Sequence, residues 1–155
     1  MAKFIPRSAA EKQRRLIVEN LLVQKHFPFL TTRIVGNRLV CRGRVKPTSS
    51  SAEYRVEVTY QPWASPDVRI LEPEIAPQSQ LHIYKSGGLC LYDWREQPWQ
   101  RNWHLADTVI PWTAEWLLYY EIYLLTGKWI GKSAVHGDAP NIVEPVSDTE
   151  EVLTA

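Results

Sequence analysis

Tyr54-Arg55-Val56-Glu57-Val58-Thr59-Tyr60 is the stretch that decides the fold. Apolar and polar residues alternate without a break. Tyr54, Val56, Val58 and Tyr60 fall on one side, and Arg55, Glu57 and Thr59 on the other. A period of two is the mark of a strand with one buried face. Upstream, Arg38 to Val45 alternates too, with Leu39, Cys41 and Val45 opposite Arg38, Arg42 and Arg44. The Ser-rich loop Pro47–Ala52 separates these two strands. Gly36-Asn37 is a turn signal that joins Arg38–Val45 to a strand over Phe29–Val35. Downstream, Pro62 and Pro66 bound a turn, and Val68–Leu71 forms a fourth strand closed by Pro73. Short connections favour an antiparallel meander.

A helix stands on each side of the strands. Ser8-Ala9-Ala10-Glu11 fits a capping box, with Ser8 as N-cap and Glu11 at N3. Leu16, Ile17, Leu21 and Leu22 then recur at helical spacing, which predicts a helix over about Ala9–Lys25, stopped by Pro28. A second helix is expected over about Thr108–Thr126, capped by Asp107 or Thr108 and ended by Gly127. Val109, Trp112, Trp116, Leu117, Tyr120, Tyr123 and Leu124 give it a broad apolar face suited to the back wall of the core. The fold class is therefore α+β.

Between Pro73 and Leu105 the periodicity fails. A loop this long in a small domain is either functional or disordered. Its tyrosines and tryptophans, among them Trp94, Trp99 and Trp103, favour order. After Gly137 the chain carries Asp138, Glu144, Asp148, Glu150 and Glu151 with no Lys or Arg. A domain over residues 1–136 and a flexible acidic tail over 137–155 are expected. The whole chain, 155 residues with a net charge of +1, has no global attraction to nucleic acid or to an anionic membrane. Without the tail's five acids, residues 1–136 hold 18 basic and 12 acidic groups, a net of +6 that suits an acidic partner. The N-terminus carries no secretory signal, and the apolar run Trp116–Leu125 is too short to cross a bilayer. A cytoplasmic protein with two free thiols is the expectation.

Cys41 falls on the inward face of a strand, where cysteine acts as a small apolar residue. Cys90 lies in Gly87-Gly88-Leu89-Cys90-Leu91, inside the irregular segment. Two glycines before a cysteine let a backbone approach closely, and loops on rigid scaffolds carry reactive groups. His82 precedes the thiol, and Asp93, His104 and Asp107 follow it. Lys85 is a nearby amine. The residues His82, Cys90, His104 and Cys41 lack the close ligand pairs of a structural zinc site, so no metal or cofactor is expected. Phosphate-loop, dinucleotide-binding and Gly-x-Ser-x-Gly motifs are missing.

The order of helix, four-stranded meander, cysteine-bearing segment and helix resembles the ubiquitin-conjugating enzymes. Gly87-Gly88-Leu89-Cys90-Leu91 matches their Gly-x-(Ile/Leu)-Cys-Leu element, and His82 stands where they have His-Pro-Asn. Trp103 matches the tryptophan before their crossing helix. Leu89-Cys90-Leu91-Tyr92, Leu105-Ala106-Asp107-Thr108-Val109-Ile110-Pro111-Trp112-Thr113 and Glu115-Trp116-Leu117 resemble a bacterial branch. Its members are stand-alone conjugating-enzyme-like proteins of CBASS antiphage operons, which accompany a cGAS/DncV-like nucleotidyltransferase. The resemblance spans roughly residues 8–132. It implies Cys90 as the carrier of a thioester with the C-terminal tail of that nucleotidyltransferase, later passed to a target lysine. It implies His82 as a residue that shapes the loop, and His104 and Asp107 as groups that orient or deprotonate the amine. Gly87, Gly88, Tyr84 and Tyr92 are the expected substrate-binding residues. The family's asparagine falls at Tyr84, so oxyanion stabilisation passes to the tyrosine hydroxyl or to a backbone amide near Gly88. The helices that usually follow the crossing helix are expected to be absent or unravelled here. The alternative is a non-catalytic scaffold of the same fold that grips a partner's C-terminal tail.

Overall fold

Ser8 opens helix α1, Ala9–His26, in the computed structural model, which describes residues 8–93 and 97–131. Its side chain accepts from the Glu11 amide at 3.1 Å, as the capping box requires. The Phe27 amide closes on the Val23 carbonyl just before Pro28. The buried stripe differs from the expected one. Leu16, Glu19 and Val23 face the core, whereas Ile17 and Leu21 are 44% and 58% exposed. A carboxylate takes a core position because it is fully bonded there. Glu19 lies 2.7 Å from His104 Nδ1 and accepts from the Leu105 amide at 2.9 Å.

Four strands follow as an antiparallel sheet in the order β1-β2-β3-β4: β1 Thr31–Val35, β2 Arg38–Val45, β3 Tyr54–Tyr60 and β4 Asp67–Glu72. Thus β2 and β3 have the expected bounds, and β4 extends one residue further at each end. β1 starts two residues later than expected. Phe27–Leu30 forms a turn closed by the Leu30 amide on the Phe27 carbonyl, with the Phe27 and Phe29 rings edge to face. Cys41 pairs with Val58 and Leu39 with Tyr60, so the apolar side chains of β2 and β3 share the buried face. On the outer face three arginines are matched by acids: Arg42 by Glu57, Arg44 by Glu53 and Arg55 by Glu72.

Helix α2, Val109–Thr126, is the back wall. Its first half is buried nearly all round, from Val109 to Leu117, and its last turn exposes Leu124 and Leu125. Gly127, at φ 73°, ends it by donating its amide to the Tyr123 carbonyl. Thr108 stands at the N-cap, but its hydroxyl donates to the His104 carbonyl instead of capping. Among the described residues no helix is long and apolar enough to cross a membrane. Trp94, the boundary at residue 136 and the acidic tail lie outside the described residues.

Candidate functional site

The segment before α2 is held by two aromatic clusters. In one, the Tyr92 ring lies 6.2, 5.9 and 5.8 Å from the rings of Trp99, Trp103 and Trp112. In the other, Trp129 lies 5.5 Å from Trp116 and 5.6 Å from His82. Trp116 Nε1 also donates to the Leu81 carbonyl at 2.9 Å, tying α2 to this segment. Aromatic contacts of this kind replace regular secondary structure as the source of order.

Within this frame Cys90 lies on a small hairpin. The 3₁₀ turn Ser79–Leu81 ends at His82, whose φ of 56° turns the chain. His82-Ile83-Tyr84 then pairs with Gly88-Leu89-Cys90. Ile83 bridges Leu89, the Tyr84 amide donates to the Gly88 carbonyl, and the Cys90 amide donates to the His82 carbonyl, both at 2.8 Å. The Leu89 amide donates to the Val68 carbonyl, which fastens the hairpin to β4. Ile83 and Leu89 are buried. Alternation along the arms puts Tyr84 and Cys90 on the opposite face.

Cys90 is half-buried. Its Sγ lies 3.6 Å from the Tyr92 carbonyl oxygen. Burial, and then the neighbouring Cys90 side chain, raise the pKa of Tyr84, so its O–H stays protonated. His82 contributes through its backbone carbonyl. Its ring packs on Trp129, and burial lowers its pKa. Cys41 is fully buried, and burial pushes its thiol up to about 12, with the Glu19 charge adding to the shift.

The glycines have an internal role that the sequence reading lacked. Gly87, at φ 95°, makes the turn. A Cβ on Gly88 would stand 2.6 Å from Asp67 Oδ1, and one on Gly87 would stand 3.0 Å from Arg69 Nη1. On that side β4 fills the space that a substrate backbone was expected to use. Arg69 completes the packing by binding Asp67 at 2.7 Å and the Ser86 carbonyl at 2.5 Å. An open groove of about 570 Å³ lies alongside. Its walls include Tyr84, Leu89, Leu91 and Tyr92 of the cysteine segment, Trp63 and Pro66 of the turn before β4, and Pro98 and Trp99. Tyr92 is buried and reaches the groove mainly at its rim, where its hydroxyl meets Ser65.

His104 and Asp107 stand on the 3₁₀ turn that leads into α2. The Nδ1 of His104 is taken by Glu19, a structural engagement that the sequence reading did not foresee, while Asp107 is exposed. Arg15 strengthens the same junction by donating to the Trp103 carbonyl at 2.7 Å. The sequence reading missed Glu19, Asp67, Arg69 and Trp129. Glu19 alone left a signal, a carboxylate at the i+3 position of the Leu16–Val23 run. Among the described residues no group of three or more His, Cys, Asp or Glu side chains could hold a metal ion.

None of the curated proteins compared matches the chain. Residues 19–137 match the family model described as Type II CBASS E2 protein, a span that takes in α1 from Glu19, the whole sheet, the Cys90 hairpin and α2. With most of its length covered by that match, the chain belongs to the family of Type II CBASS E2 proteins.

Proposed function

We propose that the protein is a cytoplasmic conjugating enzyme of antiphage defence in which Cys90 carries an acyl group as a thioester. The observation that carries this reading is the setting of Cys90: a half-buried thiol beside Tyr84, whose chain neighbours Leu89 and Leu91 line an open groove. Family membership supports conjugation as the class of activity. The donor is a C-terminal carboxyl activated as an acyl adenylate by another protein. Cys90 sulfur bonds to the carbonyl carbon, the adenylate leaves, and the thiol proton passes to solvent. A lysine amine then attacks the thioester; the C–N bond forms, the C–S bond breaks, the thiolate leaves, and the proton lost by the amine passes to solvent or back to the sulfur. Asp107, exposed before α2, and the second ring nitrogen of His104 are the groups proposed to orient that amine.

The proposed donor is the C-terminal tail of a cGAS/DncV-like nucleotidyltransferase, lying along the groove past Tyr84 and Tyr92. The outcome of conjugation is regulation of cyclic-nucleotide signalling. Co-expression of the two proteins, followed by intact mass and a non-reducing gel, tests the reading. An adduct that thiol reductant removes, that Cys90→Ala lacks and that Cys41→Ala retains is the expected result. Stable co-purification without a covalent species, unchanged by Cys90→Ala, would replace the enzyme with the tail-binding scaffold.

A further inference from the structure

The face of the sheet turned away from the core gathers arginines. Residues Arg38, Val40, Arg42 and Arg44 of β2 lie there, with Thr31, Arg33 and Val35 of β1 and Arg55 of β3. Strand register brings the cations together. Arg44 stands directly opposite Arg55. Arg33 stands opposite Val40, so Arg38 and Arg42 are its diagonal neighbours, roughly 7–8 Å away. Like charges set across a ladder disfavour it. Glu57, Glu53 and Glu72 offset Arg42, Arg44 and Arg55. Among the described residues Arg33 and Arg38 form no ion pair. An open cleft of about 540 Å³ runs between these side chains, walled by Arg33, Arg42, Arg44 and Arg55 with Val35 and Val40. Val35 is 52% exposed, so the cleft offers apolar surface as well as charge.

An occupant of this face needs carboxylates with apolar side chains between them, and the chain holds such a segment. Residues 138–155 carry Asp138, Glu144, Asp148, Glu150 and Glu151 and no Lys or Arg. Val143 and Val152 stand next to two of the glutamates. Reach is sufficient. Gly131, the last described residue, lies against the Tyr119 ring of α2, on the core side of the sheet. Glu144 is 13 residues further on, a span of up to about 45 Å when extended. The four strands side by side are only about 14 Å across. We propose that residues 138–155 dock in cis on the arginine-lined outer face of the sheet, with carboxylates on Arg33 and Arg38 and apolar side chains on Val35 and Val40. Guanidinium groups suit this task because each can hold a carboxylate through two hydrogen bonds. Docking sets five acids against the +6 excess of residues 1–136. A more acidic partner must displace the segment before it can use the face. The chemistry of Cys90 does not enter this inference.

Cleavage of the full-length protein by a glutamate-specific protease after Glu150 and Glu151, read by intact mass, tests the docking. A synthetic peptide of residues 138–155 in the same tube serves as the undocked reference, so effects of salt on the protease cancel. At low salt the wild-type segment should be cut several-fold more slowly than the peptide. Arg33→Ser together with Arg38→Ser should speed cleavage by about fivefold, the effect of losing two exposed ion pairs. Arg33→Lys with Arg38→Lys keeps the charge and should keep most of the protection. In about 1 M salt, where screening acts within roughly 3 Å, wild type and the serine variant should be cut alike. Cleavage of wild type at the peptide's rate in low salt would overturn the proposal and leave the face to an external acidic partner. Equal protection in the serine variant would also overturn it. Protection that grows with protein concentration would replace docking in cis by docking on a second copy.

Discussion

Cys41 and Cys90 are the same side chain in two kinds of chain. Cys41 lies in the middle of β2, opposite Val58 in an eight-residue strand paired on both sides. Its thiol is packed among apolar groups and pushed up to about 12. Cys90 lies on a hairpin arm three residues long, beside Tyr84 and between Leu89 and Leu91, which line an open groove. Regular pairing buries a thiol and makes it inert, whereas a short irregular turn fixed to a sheet edge presents one. Position relative to the sheet, more than the residues next to it in sequence, separates a structural cysteine from a reactive one.

The largest expected effect breaks the pair outright. Titration of the native protein with a disulfide reagent should detect one thiol, and Cys90→Ala should remove it. Cys41→Ala should leave it and lower stability by about 1 kcal/mol, as loss of a small buried group does. Rapid reaction of Cys41 in the native protein would sink the contrast. Next in size is Glu19→Ala. Its carboxylate holds His104 and the Leu105 amide and lies near Cys41. Its removal strands the buried Leu105 amide and loosens α1 from the turn before α2. A loss of about 3 kcal/mol is expected in urea unfolding. Reaction of Cys41 should quicken while that of Cys90 holds. Wild-type stability of this variant would mean that the junction does not seal the sheet.

The same contrast explains what could be read from sequence. The bounds of β2 and β3 were legible because one buried face imposes strict alternation over seven or eight residues. The start of α1 was legible because its cap is a local bond between Ser8 and Glu11. The face of α1 was not, because Glu19 is stabilised by His104 and Leu105, 85 and 86 residues away. The Cys90 hairpin was also hidden. Its arms are too short to show a period, and it is fixed by bonds to Val68 and to the Asp67–Arg69 pair. Gly87-Gly88 marked the place, yet not the reason, which is the space that β4 side chains need.

Gly88→Ala sharpens the comparison at the hairpin alone. Its Cβ meets the Asp67 carboxylate, so Asp67 must leave Arg69 or the arm must shift. A cost of about 1–3 kcal/mol follows from overpacking. Peptide acylation of Cys90 should drop by more than the stability loss explains, and the protection of Cys41 should not change. Unaltered acylation would show that the register of the arm does not set the thiol.

The smallest effect concerns pH. His82 is held in a partly buried pocket against Trp129, and desolvation lowers its pKa below the ordinary value of 6.5. In the unfolded chain it takes up a proton at its ordinary pKa, and in the folded chain it resists. Its contribution to stability is therefore present above about pH 6.5. It is lost as pH falls from there through the lower folded value. The amplitude should stay below about 1 kcal/mol, because a half-buried ring is partly screened by solvent. His82→Asn keeps a residue that tolerates the left-handed turn and removes the titration. Urea unfolding at pH 7.5 and pH 5 should show a smaller decline for the variant than for wild type. An equal decline would place the acid sensitivity elsewhere. It would leave His82 only its carbonyl, which receives the Cys90 amide, as its part in setting the two thiols apart.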